Sequence, residues 1–279
     1  MPHRIDISNY PVFLPEKRGS TDNNYWIFDQ TKKIAKLIKN SNVDSIIHRD
    51  QDVIEKLSSD ILSYLKIKCM NVKLGYNNGK NCCILDNFLT EVDSLYDIKG
   101  VFEFVEVDSG DIMDDIDNCF TQMFWNFADK QYEISDIELE EMRKDYVRIV
   151  FGDCILSNYD RHTGNVAIIY NEREKWFRLA PSYDNANSFL GSDLLVKYEC
   201  RIGNQSFKMG NVLTYILQNH YKYVEDIISS LDTLVAENLI FIIGKYKGEI
   251  SPDKQQYIMN YVNTINEIVQ SELIPSKKK

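Results

Sequence analysis

The first ninety residues alternate between short apolar runs and turn-rich segments, which is typical of antiparallel strands with one helix. Residues 25–39 predict two short strands joined by a polar turn. Residues 69–75 and 82–88 predict two more strands on either side of a turn rich in glycine and asparagine. Between these hairpins, the pattern over 50–66 predicts an amphipathic helix. Its apolar positions recur every four residues: Val53, Leu57, Ile61 and Leu65.

Farther along the chain the apolar spacing becomes helical. Ser135 and Glu138 form a capping box that predicts the start of a long helix ending near Asn158. Two short strands follow at 166–170 and 176–179, separated by a charged turn. The remaining chain has apolar positions at helical spacing in four stretches: 210–218, 222–234, 235–246 and 253–273.

This order of elements predicts an α+β protein in two parts. Residues 1–90 form a β-rich N-terminal lobe, and residues 91–279 form a larger, mostly helical lobe. A hydrophobic fraction of 44% with 12% aromatic residues excludes a disordered or fibrous chain. A net charge of −10, from 32 basic and 42 acidic residues, argues against direct nucleic acid binding through phosphate neutralisation. The charge still allows a nucleotide site, which needs only a few local cations and a metal.

The cysteine spacing and the amino terminus bear on location. The 6 cysteines show no C-x-x-C spacing and the chain has only 4 histidines, so we expect reduced thiols and no zinc site. Residues 1–13 lack the apolar core of a secretory signal. The most apolar stretch, 239–243, is too short to cross a bilayer. We therefore expect a cytoplasmic protein without membrane insertion.

The residues with the clearest chemistry lie in 156–187, LSNYDRHTGNVAIIYNEREKWFRLAPSYDNAN. Asp160 and Asn165 lie in the loop after the long helix, and Asp184 follows the strand hairpin. Because the hairpin returns the chain on itself, we expect these three side chains to converge. Phosphoryl transfer requires such a group, a carboxylate to accept the hydroxyl proton and oxygen ligands for Mg²⁺.

The segments NYDRHTGNVAII and RLAPSYDNANSFL resemble the catalytic loop and metal-binding segment of HipA-like serine/threonine kinases. The D-R-H-x-x-N motif is also similar to the loop of phosphoinositide kinases. The resemblance implies a bilobed protein-kinase-like fold that uses ATP and Mg²⁺. It implies that Asp160 is the catalytic base, that Asn165 and Asp184 bind the metal, and that His162 to Asn165 line the phosphates. For His162, a loop-stabilising hydrogen bond remains the alternative.

A weaker resemblance extends into the N-terminal lobe. GSTDNNYWI is similar to the phosphate loop of the family, which implies that Gly19, Ser20 and Thr21 cover the phosphates of ATP. This loop has a single glycine, and asparagine stands where family members often carry a lysine. We also predict that Ser20 or Thr21 is phosphorylated by the enzyme itself, and that the added negative charge repels ATP. The alternative is that both are ordinary turn residues.

The same resemblance assigns the remaining nucleotide contacts. KKIAKLIK is similar to the strand that carries the ATP lysine, which implies that Lys36 is this lysine and that Glu55 pairs with it. Lys39 points to the other face of the strand, so only one of the two lysines can face the cleft. CCILDNFL resembles the hinge, with backbone groups of Asp86 and Phe88 facing adenine.

The leading hypothesis is therefore a protein kinase acting on a serine or threonine hydroxyl, with a toxin role and a small antitoxin partner by analogy. A lipid or small-molecule kinase is the second hypothesis, suggested by D-R-H-x-x-N. The third is a nucleotide-binding pseudokinase that acts as an interaction module, suggested by the single-glycine loop.

Overall fold

The computed structural model describes residues 3–13, 24–30, 32, 34–40, 50–98, 111–128, 134–190 and 199–273. The predicted phosphate-loop residues Gly19, Ser20 and Thr21 lie outside the described residues. The secondary structure follows the predicted order, with strands dominating the first part and helices the second.

The first part is a six-stranded sheet with one helix. Its elements are β1 (Ile5–Asp6), β2 (Val12–Phe13), β3 (Asn24–Asp29), β4 (Ile34–Asn40), α1 (Gln51–Tyr64), β5 (Val72–Asn77) and β6 (Lys80–Asp86). The strand order is β1-β5-β6-β4-β3-β2, in which β1 is parallel to β5 and the other pairs are antiparallel. The two predicted hairpins and the predicted helix are confirmed.

Both faces of this sheet are apolar. The outer face carries Ile27, Ile38 and Ile84, which are buried together. The inner face carries Val72, Cys83 and Leu85, which form a separate cluster. Successive side chains of a strand point to opposite faces, so each central strand contributes to both clusters.

The second part combines a small sheet with the helices. Its elements are β7 (Asp93–Asp97), α2 (Ile112–Ala128), α3 (Asp136–Leu156), β8 (Ala167–Asn171), β9 (Trp176–Leu179), β10 (Glu199–Ile202), β11 (Gln205–Lys208), α4 (Met209–Asn219), α5 (Tyr221–Thr233), α6 (Leu239–Gly244) and α7 (Pro252–Leu273). Strands β7, β8 and β9 form a three-stranded sheet, and β10 pairs with β11. The predicted capping box is formed, since Ser135 accepts from the Glu138 amide and Glu138 accepts from the Ser135 amide. Strand β7 and the β10–β11 hairpin were not predicted from the sequence.

Helix α1 joins the two parts. Its buried residues Leu57, Ile61 and Leu62 belong to the same large cluster as the helices of the second part. Its first turns are also tied to the C-terminal region, because Lys254 Nζ lies 3.0 Å from Asp50 Oδ2. The division of the chain at residue 90 stays a prediction.

One continuous helical stretch in the described residues, Tyr221–Gly244, is long and apolar enough to span a membrane by length and composition alone. Buried core helices pass the same test, and residues such as Val224, Ile227 and Leu231 of this stretch belong to the large core. The expectation of no membrane insertion stays a prediction.

Candidate active site

The loop around Asp160 begins where α3 ends. Ser157 closes the helix in a left-handed conformation, with φ 52°. The backbone of Asp160 is then fixed from both sides. Its amide donates to Asn158 Oδ1 over 3.1 Å, and its carbonyl accepts from Asn165 Nδ2 over 2.8 Å. Asp160 and Asn165 therefore lie together, joined by a hydrogen bond.

His162 stabilises the same loop. Its Nδ1 accepts a hydrogen bond of 3.0 Å from the Gly164 amide, which caps the short 3-10 turn Thr163–Asn165. Its Nε2 lies 4.0 Å from Asp160 Oδ1. Of the two roles that the sequence left open for His162, the loop-stabilising hydrogen bond is formed. A role at the phosphates remains a proposal.

Strands β8 and β9 return the chain to this loop, as the predicted hairpin requires. The Tyr183 hydroxyl donates to the Gly164 carbonyl over 3.3 Å. Asp184 follows with φ 59°. A left-handed conformation is uncommon for a residue with a side chain and persists only where the surroundings hold it. The conformation of Asp184 is therefore imposed by its contacts.

A buried arginine provides much of that constraint. Arg161 is only 1% exposed, and its guanidinium donates to both carboxylate oxygens of Asp153 on α3, each over 2.9 Å. It also donates to the backbone carbonyls of Asn165 and Tyr183. Its other hydrogen bonds go to side chains of the segment around Asp184: Ser182 and Asn185.

The charge of Arg161 is secure. Burial alone would lower the pKa of its guanidinium, but the Asp153 carboxylate raises it. Multiple charge-assisted hydrogen bonds are among the strongest in proteins. Arg161 therefore clamps the Asp160 loop and the segment around Asp184 to the end of α3.

The N-terminal sheet reaches the same place through Lys39. Its Nζ lies 2.7 Å from Asp184 Oδ1 and 3.7 Å from Glu55 Oε2. Glu55 is 0% exposed, and its Oε1 accepts from the Asn185 amide over 3.1 Å. Helix α1, strand β4 and the segment after β9 thus meet at one cation.

The pKa shifts agree with this arrangement. Burial alone would lower the pKa of Lys39, but the carboxylates of Glu55 and Asp184 raise it. Burial alone would raise the pKa of Asp184, but the Lys39 ammonium holds it below its ordinary value. Both side chains are therefore charged near neutral pH.

The predicted pair of Lys36 and Glu55 is wrong, because Lys36 lies on the outer face of β4. Its Nζ is 3.1 Å from Asp86 Oδ1 and 3.7 Å from Asp29 Oδ2. The two lysines do lie on opposite faces, as strand alternation predicts, but the one that faces Glu55 is Lys39.

The predicted hinge follows β6. The Asp86 amide donates to the Asn71 carbonyl over 3.1 Å, so this donor is engaged within the sheet. Phe88 stacks on Tyr183, with ring centroids 6.0 Å apart and planes inclined by 23°. Next to these rings lies the inner-face cluster, whose buried members are Met70, Val72, Cys83 and Leu85.

Asn165 and Asp184 have the chemistry of magnesium ligands. Asn165 uses its Nδ2 for the Asp160 carbonyl, which leaves its Oδ1 as the atom for a cation. The Asp184 side chain is 40% exposed and holds Lys39 through Oδ1, which leaves Oδ2. No group of three or more His, Cys, Asp and Glu side chains suited to a metal occurs in the described residues. Mg²⁺ fits a sparse site, because it commonly keeps several waters and binds one or two protein oxygens with substrate phosphates.

Three residues of this site were not predicted from the sequence: Lys39 in its observed role, Arg161 and Asn187. Asn187 Nδ2 donates to Asp160 Oδ2 over 2.8 Å. A signal for the arginine was present, because its partner Asp153 interrupts the apolar run at the end of α3. An acidic residue in such a run usually has a buried partner.

The fold and this set of side chains define a kinase-like two-lobed protein. No model of a protein family matches the chain, and no curated protein matches it. Among solved structures, the proinflammatory kinase CtkA of Helicobacter pylori matches with a TM-score of 0.68 at 14% identity, covering 97% of this chain and 99% of CtkA.

HipA of Shewanella oneidensis MR-1, solved with HipB and its operator DNA as a toxin–antitoxin system, matches with a TM-score of 0.52 at 12% identity. That match covers 93% of this chain and 66% of the HipA chain. At these identities the likeness shows the fold alone. The predicted fold class and the resemblance to HipA-like kinases are confirmed at that level.

Proposed function

We propose that this protein is an ATP-dependent phosphotransferase that moves the γ-phosphoryl group to a serine or threonine hydroxyl of a protein. The observation that carries the proposal is the position of Lys39, whose ammonium contacts both Glu55 of α1 and Asp184. In kinases, a lysine–glutamate pair and a metal-binding aspartate must be in place together. Asp160 and Asn165, fixed in the adjoining loop, supply the rest of the required chemistry.

Each residue has a defined part in the proposed reaction. Asp160 accepts the proton of the acceptor hydroxyl through Oδ1, while Asn187 holds its Oδ2. Lys39 contacts the α- and β-phosphates, and Glu55 orients it. Asn165 and Asp184 would hold Mg²⁺, which would supply positive charge to offset that of the ATP phosphates.

We place the adenine site beside the predicted hinge. The inner-face cluster and the stacked pair of Phe88 and Tyr183 provide flat apolar surfaces for the base. Because the Asp86 amide is engaged with Asn71, we assign adenine recognition to the Asp86 carbonyl and the Phe88 amide.

The proposed acceptor class rests on the resemblance of the Asp160 loop to HipA-like serine/threonine kinases, and the proposed biological role rests on the structural neighbours. CtkA, a kinase, matches over nearly its whole length, whereas HipA extends well beyond the match. The HipA neighbour is bound to HipB and DNA, and we extend the idea of a small antitoxin partner to this chain as part of the proposal. A cytoplasmic location, where ATP is available, belongs to the same proposal.

The test is transfer to a general protein acceptor. Purified protein is incubated with Mg-ATP and casein, and phosphoamino acids of the product are analysed, with Asp160→Asn as the matched control. We expect phosphoserine or phosphothreonine with the wild type and none with the variant. ATP binding without transfer to casein or to the enzyme itself would instead assign a nucleotide-binding interaction module.

A further inference from the structure

The carboxylate of Asp160 is held by a side-chain amide that no motif singles out. Asn187 Nδ2 donates to Asp160 Oδ2 over 2.8 Å. Asn187 Oδ1 in turn accepts from Gln51 Nε2 over 3.2 Å. Gln51 is the first residue of α1, so a chain of two hydrogen bonds runs from the N-terminal lobe helix to the proposed base.

The direction of the Asn187 amide matters for Asp160. A carboxamide has a donor end and an acceptor end of nearly the same shape. With the NH₂ end toward Asp160, the contact is an attractive hydrogen bond to a carboxylate. With the oxygen end toward Asp160, two acceptors would face each other. The NH₂ group of Gln51 binds the oxygen of Asn187 and therefore favours the first arrangement.

Gln51 is itself attached to a firmly held segment. Arg4 Nη1 lies 2.7 Å from Asp52 Oδ2, and Arg4 Nη2 lies 2.7 Å from Glu249 Oε2. On the other side of Gln51, Asp50 is paired with Lys254. The start of α1 is thus fixed to the C-terminal region by ion pairs on both flanking residues.

We propose that Asn187 is a positioning residue for Asp160 and that Gln51 sets the direction of its amide. The inference rests on the proposed function, since it assigns Asp160 as the base. Tying Oδ2 prevents the carboxylate from rotating and leaves Oδ1 to receive the hydroxyl proton. Small errors in the placement of a catalytic group reduce rates strongly. The same helix thereby governs both halves of the site, through Glu55 at Lys39 and through Gln51 at Asp160.

Gln51→Glu tests the amide direction with almost no change in shape. An ionised glutamate only accepts hydrogen bonds, so it attracts the Asn187 NH₂ group and turns the oxygen toward Asp160. Acidic residues are favoured in the first turn of a helix, so α1 is not weakened. We expect kcat to fall about tenfold or more, with the dissociation constant of Mg-ATP unchanged. Gln51→Leu removes the donor without reversing the Asn187 amide, so the kcat of this variant should fall less than that of Gln51→Glu.

Two further variants separate positioning from a general structural effect. Gln256→Glu alters the same kind of glutamine–asparagine bond, Gln256 Nε2 to Asn260 Oδ1 at 2.8 Å, on an exposed face of α7. We expect wild-type kcat from it. Asn187→Ala should lower kcat, and adding Gln51→Glu to it should lower kcat no further, because the proposed effect of Gln51 on Asp160 passes through Asn187.

These measurements distinguish a failure of the positioning role from a failure of the proposed function. A wild-type protein that transfers no phosphate to casein or to itself removes the proposed function, and the positioning role with it. An active wild type whose Gln51→Glu variant matches Gln256→Glu overturns the positioning role alone. The positioning role is also overturned if Gln51→Glu lowers kcat by the same factor in the Asn187→Ala background as in the wild type.

Discussion

Exchanging Lys39 or Lys36 for methionine separates the lysine of the site from its neighbour on the opposite face. Methionine keeps the length and apolar stem of the side chain and removes the charge. Lys39 lies 2.7 Å from Asp184 and 3.7 Å from Glu55, whereas Lys36 is paired with Asp86 and Asp29. Only the first change removes a cation from the proposed phosphate site.

The expected loss follows from the interaction removed. A hydrogen bond to a charged group contributes about 1.5 to 3 kcal/mol, which corresponds to roughly a 10- to 150-fold loss of kcat/KM for ATP. Lys39→Met should show this loss. Lys36→Met should keep kcat/KM within about threefold of wild type, since the partners of Lys36 lie on the outer face of the sheet. A threefold change in kcat/KM corresponds to less free energy than one hydrogen bond to a charged group contributes.

Both variants should be less stable than the wild type, so stability must be measured with activity. Lys39→Met leaves Glu55, which is 0% exposed, without its cation. Lys36→Met removes a cation from beside Asp29, whose side chain is 8% exposed. Removing one partner of a buried pair costs about 3 to 5 kcal/mol when both are fully buried, and less for both variants, because Asp184 is 40% exposed and Asp86 is 27% exposed.

The assay is therefore steady-state kinetics at a temperature below both unfolding midpoints, with thermal melts of each variant. Equal losses of kcat/KM in the two variants, or a larger loss in Lys36→Met, would refute the assignment of Lys39. A normal kcat/KM in a folded Lys39→Met variant would refute it as well.

Three further predictions concern the clamp, the metal and regulation. Arg161→Met should lower the free energy of unfolding by about 3 to 5 kcal/mol, measured by urea denaturation; a loss below 1 kcal/mol would contradict a clamping role. Asp184→Ala should weaken Mg-ATP binding in calorimetry more than Asn165→Ala does, because a charged oxygen ligand contributes more than a neutral one; unchanged affinity in Asp184→Ala would place the metal elsewhere. Phosphopeptide mapping after incubation with Mg-ATP should find phosphate at Ser20 or Thr21 together with reduced activity; an active enzyme without phosphate at either position would end that prediction.

Strong local periodicity made much of the fold predictable. The four-residue spacing in α1 and the Ser135–Glu138 capping box depend on neighbours in sequence, and both are present. Strand β7 was not predicted because its pairing is distant, with Asp93 opposite Asn171. The sequence of β7 contains two apolar residues between polar ones, which gives little alternation to read.

The proposed catalytic and metal-binding residues were easier to predict than the residues that hold them. Asp160, Asn165 and Asp184 stand in a recognisable spacing, whereas the choice between Lys36 and Lys39 depends on which sheet face meets the cleft. Leu37 and Ile38 pack on opposite faces of the sheet, and both faces are apolar. The alternation of side chains therefore could not show which face meets the cleft. The roles of Arg161 and Asn187 depend on contacts between segments far apart in the chain, which no local pattern contains.

We propose above that the site joining Lys39, Asp160 and Asp184 transfers phosphate from ATP. Intact mass spectrometry of the purified protein after incubation with Mg-ATP tests it most directly, because the protein then serves as its own acceptor, with Asp160→Asn and Lys39→Met measured in parallel. We expect a mass increase of one or more phosphates in the wild type, none in Asp160→Asn and little in Lys39→Met. The same increase in a folded Asp160→Asn variant would contradict it.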